Sequence, residues 1–340
     1  MTNRRRFIAR AGLAAGAALS GPIDAAAGGR RPHEGTPIYV LNSLDATVSI
    51  IDPARWVEVR RLDVGKEPHH LYLTPDERQL LVANAAGNSL SVIDPVKGEL
   101  LRTLRGIVDP YHLRFSPDMQ WFVTAANRLD HVDLYRWEPK TPDSPLRLVK
   151  RLPAPKTPSH LAIDSRSSVV YASLQDSDEL LAIDLATQAP RWKLRCGRMP
   201  ADLYLSRDDQ RLFVGMTGDK VVEVYDVSTP TARLMRRITT GEGAHAFRAR
   251  GDGRGLFVSN RVANTISLID VQAMEVAWSV AVPGGPDCMD LMGDGRTLLV
   301  SSRWARKLSV VDIDQRKVMR QVAVGRSPHG VWTLDHAPRT

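Results

Sequence analysis

Six of the nine histidines in this 340-residue chain are His69, His70, His112, His160, His245 and His329, most of them set some forty residues, or a multiple of forty, from the next. A neutral imidazole can ligate a borderline metal ion or hydrogen-bond a polar group. Arg128, Arg261 and Arg303 lie in the intervening segments. A guanidinium fork matches a carboxylate. Together these nine residues predict a binding site for a small acidic cofactor or a divalent metal. His70, His112 and His160 are the expected metal ligands, and the three arginines are the expected carboxylate clamps. The two cysteines, Cys196 and Cys288, lack the spacing of a zinc or redox motif. No phosphate loop, Gly-x-Ser-x-Gly elbow or His-Glu-x-x-His signature is present. The chemistry therefore has to come from residues that the fold brings together.

The elements that must do so are visible as a repeat. An alternating apolar run ending in Asp recurs at Val48–Asp52, Ser91–Asp94, His131–Asp133, Leu181–Asp184, Glu223–Asp226, Ser267–Asp270 and Ser309–Asp312, with Asp spacings of 42, 39, 51, 42, 44 and 42. Seven copies at this period are the signature of propeller blades. Each copy also carries a Pro-His-like turn, an apolar strand, a Thr74-Pro75-Asp76-like turn and a second strand such as Leu81-Val82-Ala83-Asn84. Short β-branched runs between Pro, Gly, Asn and Asp turns read as strands. The predicted fold is all-β: a seven-bladed β-propeller with four antiparallel strands per blade. The last repeat stops after one strand and the first begins with the other three, so the N- and C-terminal strands should share one blade and close the ring, leaving no free edge there. The expected organisation is a signal peptide over 1–27, a flexible linker over 28–36, the propeller over 37–335 and a short tail over 336–340.

In this topology the loop entering each inner strand lies on the same face as the loop between the second and third strands. The histidines should then ring one mouth of the central channel, with Arg128, Arg261 and Arg303 on the same face. His70, His112 and His160 fall in register, and Asp202 and Cys288 take that slot in two later blades. His69, His245 and His329 share the preceding slot with Asp287. The competing role for any one of these histidines is to cap its turn. Six spread around a channel mouth are not expected to act as a single site.

The chain opens with Arg4-Arg5-Arg6-Phe7-Ile8, a short apolar run from Ala11 to Leu19, and Ala25-Ala26-Ala27. A basic head, a run too short to span a bilayer and a small-residue exit predict an export signal of the twin-arginine (Tat) type and a periplasmic location, with no transmembrane anchor. Four arginines against one aspartate in residues 1–27 leave the remainder near +5 of the chain's +8. That mild balance suits an anionic small ligand and does not favour nucleic acid.

Tyr39-Val40-Leu41-Asn42, Leu81-Val82-Ala83-Asn84 and Phe257-Val258-Ser259-Asn260, with Gly65-x-x-Pro68-His69, resemble the repeat of the YVTN (YncE-like) β-propellers. The resemblance spans nearly all of the chain after residue 36. A remoter similarity links such propellers to the d1-heme domain of cytochrome cd1 nitrite reductase and its maturation proteins. There, an axial histidine immediately precedes an inner strand, and His70-Leu71-Tyr72-Leu73 matches that position. The chain has no Cys-x-x-Cys-His, so the cytochrome c domain of a complete nitrite reductase is missing. The resemblance implies a periplasmic binding protein, monomeric, holding a tetrapyrrole-like (d1-heme-like) or quinone-like cofactor or a metal, and meeting a periplasmic redox or maturation partner. The alternatives are a propeller enzyme of lyase or lactonase type at the same face, and a protein or nucleic-acid interaction scaffold.

Overall fold

The computed structural model describes residue 31, residues 33–141 and residues 143–339. The expected signal peptide and part of the linker lie outside the described residues. Among those described, 28 strands form seven four-stranded antiparallel sheets, and no helix is long and apolar enough to cross a membrane. Blade 1 is built from Pro328–Thr333 inside, then Ile38–Asn42, Thr47–Asp52 and Val57–Asp63. The C-terminal strand thus closes the ring against the N-terminal one, as the truncated end repeats predict. Blades 2 to 7 follow in chain order, with inner strands Pro68–Leu73, Pro110–Phe115, Pro158–Ile163, Pro200–Leu205, Ala244–Ala249 and Pro286–Leu291.

Burial explains the sequence texture. The second strand of blade 2, Leu80–Asn84, is buried at every residue because neighbouring blades cover both of its faces. The outermost strand, Glu99–Arg105, faces solvent for most of its length and is correspondingly polar. The repeat asparagines brace the hairpins between second and third strands. Asn84 Nδ2 donates to Ser89 Oγ and Ser91 Oγ, and Asn42 and Asn260 do the same in their blades. Gly65 is required beside this brace, because a Cβ there would lie 2.6 Å from Asn84.

The Asp repeat is turn chemistry in six blades: Asp94 Oδ1, for example, accepts from the Val96 and Lys97 N–H groups at 2.9 Å. Blade 3 corrects the sequence register. His131 pairs with Ala126 as Ser89 pairs with Asn84, so Asp133 occupies the position of Ser91, and Arg136 stands where the turn aspartate would be. Asp133 is instead buried and ion-paired with Arg151 at 2.8 Å.

Each of the seven inner strands carries a register shift just after its first residue. A bulge adds one residue to one strand and bends it. Consecutive residues such as His69 and His70 can therefore both reach the channel axis, which a regular strand forbids. Beyond the last strand, residues 334–339 lie against the far ends of the inner strands of blades 6 and 7. The Ala337 N–H donates to Leu291 O, and Arg248 donates to the carbonyls of Ala337 and Pro338.

Candidate functional site

The structure puts the predicted loops on one face: Arg128, between the second and third strands of blade 3, pairs with Asp109 and Glu67, which lead into two inner strands. The histidines do not ring an open mouth. They lie inside the first half of the inner strands, and five of them are 3% exposed or less. Their rings touch across the axis. Centroids are 3.6 Å apart for His69–His329, 4.4 Å for His70–His112, 5.1 Å for His70–His160, 4.9 Å for His112–His160 and 5.5 Å for His160–His245. The six form one buried plug, contrary to the expectation of separated groups. The bulges deliver two residues per blade to a narrow channel, and the sequence carries no signal for a bulge.

Hydrogen-bond partners fix which nitrogens are free. His70 Nδ1 lies 2.8 Å from Tyr111 O. A carbonyl only accepts, so Nδ1 carries the proton and Nε2 is a bare lone pair. His329 Nδ1 likewise donates to His69 O at 2.8 Å, leaving its Nε2 bare. Arg261 Nη2 donates to His245 Nε2 at 2.7 Å, so the proton of His245 sits on Nδ1, 3.0 Å from Asp287 Oδ1. His160 Nδ1 pairs with Ser159 Oγ at 2.9 Å, and its Nε2 is buried without a partner, as is His112 Nδ1.

Burial keeps these rings neutral. It lowers His70 to about 3 and His245 to about 4, and holds His69, His112, His160 and His329 well below the usual histidine value. Burial alone would raise Asp287, but the Arg261 charge, with the His245 N–H beside it, holds it well below the usual carboxylate range.

Among the described residues, three groups of donors are close enough to share a cation, each with its donor atoms within 4.8 Å of one another: His70/His112/His160, His69/His70/His329 and His245/Asp287/His329. The second contains the pair His69–His329, stacked at an interplanar angle of 32°, and stacked imidazoles cannot aim in-plane lone pairs at one ion. The third contains the Arg261 guanidinium, which already donates to both His245 and Asp287. The first group meets at angles of 51° to 87°, with His70 Nε2 bare, His112 Nδ1 and His160 Nε2 buried without partners, and no guanidinium hydrogen-bonded to its rings.

The three predicted clamps all engage the protein's own carboxylates. Arg261 and Arg303 hold Asp287 at 2.7 and 3.2 Å, and Arg128 holds Asp109 and Glu67. Asp287 is the organising residue that the sequence reading placed in register but gave no role. Tyr111, stacked 3.9 Å from His69, and Arg114, beside the trio, carried no sequence signal. Below the rings the channel holds a cavity of about 80 Å³, lined by His70, His112, Arg114, Asp202, Cys288 and Arg339 among others.

A closed ring of seven four-stranded sheets with polar side chains packed along its axis defines a β-propeller. The chain belongs to the YNCE-like β-propellers, whose family model matches residues 7–339. No curated protein matches it. Among solved structures it is similar to a functionally unknown protein from Desulfotomaculum acetoxidans, at 15% identity over 89% of this chain and 100% of that one, TM-score 0.74. It is also similar to the periplasmic gluconolactonase PpgL of Pseudomonas aeruginosa, at 18% identity over 87% and 98%, TM-score 0.73. A third similarity is to the dihydro-heme d1 dehydrogenase NirN in complex with DHE, at 18% identity over 91% and 78%, TM-score 0.59. Identities this low speak to the fold alone.

Proposed function

We propose that this chain is a periplasmic metal-binding propeller in which His70, His112 and His160 hold one divalent cation on the channel axis. The observation that carries the reading is the convergence of three neutral imidazoles, with His112 Nδ1 and His160 Nε2 buried without a hydrogen-bond partner. Buried polar atoms are ordinarily satisfied, so such a set calls for an electrophile. Three histidine nitrogens with a further position open suit zinc and its neighbours. The Tyr111 carbonyl and Ser159 hydroxyl hold two of the rings by their other nitrogens, as orienting partners of metal-bound imidazoles do.

The same geometry favours the metal over a tetrapyrrole-like or quinone-like cofactor. The rings are in contact, and the adjoining cavity is far below the several hundred Å³ of a pocket for such a molecule. The twin-arginine start and the fold shared with a periplasmic gluconolactonase support the location.

The test is a titration of the chelator-treated protein with Co²⁺, followed by visible absorption. One equivalent should saturate d–d bands of a nitrogen-rich, low-coordinate site, and His112→Ala or His160→Ala should remove them while the β-sheet circular dichroism persists. Unchanged bands in both variants would overturn the assignment.

A further inference from the structure

Around the trio the fixed charges do not balance. With the imidazoles neutral, Arg114, Arg261 and Arg303 outnumber Asp202 and Asp287 by one, before any cation is added. Asp287 is committed to Arg261 and Arg303. Asp202 accepts the Leu203 N–H at 2.9 Å and the Phe247 N–H at 2.8 Å, one on each oxygen. Arg339, on the cavity floor, is paired with Asp290 at 2.7 Å.

Arg114 differs from all of these. It lies over the Tyr72 ring at 5.4 Å, and among the described residues its hydrogen bonding is one long contact, 3.4 Å, to the carbonyl of Leu113. Among the described residues it makes no ion pair. Arg114 nevertheless lines, with His70 and His112, the same cavity. A half-buried cation without a carboxylate, next to a site that would add two more positive charges, favours an anion between them.

We infer that the cavity beneath the histidine trio is the binding position of a small monoanion, ligated by the metal at its open coordination site and held from the other side by Arg114. This inference rests on the metal reading above. Cavity size sets the class. A cavity of about 80 Å³ holds a handful of water molecules, at roughly 10–15 Å³ of such space each. That admits an anion of about three or four non-hydrogen atoms, carboxylate-like in its pairing with a guanidinium fork. Asp202 and the Cys288 thiol complete the wall.

The experiment is a titration of the Co²⁺-loaded full chain with formate, read from the cobalt d–d bands, in the wild type, Arg114→Met and Arg114→Lys. Formate should shift the bands saturably. Arg114→Met should weaken it about tenfold or more, the worth of one charged hydrogen bond, and Arg114→Lys should recover part of the loss. Arg114→Gln replaces Arg114→Met if the latter does not fold. If cobalt loads but formate leaves the bands unmoved, or binds all variants equally, the anion position is refuted and the metal site survives. If cobalt does not load in the wild type, the metal reading itself fails, and this inference fails with it.

Discussion

Asp287 shows how much of the site is held by one side chain. Fully buried, it faces Arg261, Arg303, His245 and His329 at 2.7 to 3.7 Å. Asp287→Asn would leave two guanidinium groups without their counter-charge. It should cost about 3–5 kcal/mol, the loss typical of breaking a buried ion pair from one side, measured by urea unfolding. A loss under about 1 kcal/mol would mean that both arginines swing out to water. The histidines make a second statement at this scale. Their folded-state values lie below the ordinary one, so the unfolded chain binds protons that the native state refuses. Their contribution is present above about pH 6.5 and drains away as pH falls toward the 3 to 4 of His70 and His245. Thermal melts of the metal-free protein should therefore show the melting temperature falling across this range. His70→Asn with His245→Asn should flatten the fall, and an unaltered slope would contradict the neutral-imidazole account. The identities and register of these residues were legible in the sequence. Their mutual contact was not, because it depends on channel width.

At the scale of the element, the bulge and the asparagine brace decide which side chains reach the axis. Asn84→Ala removes two buried hydrogen bonds and frees the Ser89 and Ser91 hydroxyls. It should cost about 1–3 kcal/mol, read as a lower urea midpoint at unchanged slope. No loss would show that the brace is replaced by water. The Asp turns were readable because their chemistry is local. The blade 3 register was misread because His131-Val132-Asp133 mimics the repeated phrase three residues early, while Arg136 fills the true position. Bulges have no local signature here, since Pro-His-His and Pro-Ser-His precede the same kink.

For the whole molecule, the period of about forty residues and the incomplete end repeats were enough to give seven blades and the closure. Removing residues 328–339 would open blade 1 and strip the channel of His329 and the Arg339 floor. The truncated chain should lose its cooperative melt and aggregate, and a melt at the full-length temperature would contradict the closure. The fold does not by itself state what is bound, because related propellers at 15 to 18% identity differ in what their names assign to them. The bound species must be read from the axis. The most direct measurement is elemental analysis of the protein purified without chelator or affinity metal, beside His112→Ala. The account predicts one equivalent of a divalent transition metal in the wild type and less than a tenth of that in the variant. A metal-free wild type that also takes up no Zn²⁺ or Co²⁺ on dialysis, or a variant that retains the full equivalent, would contradict it.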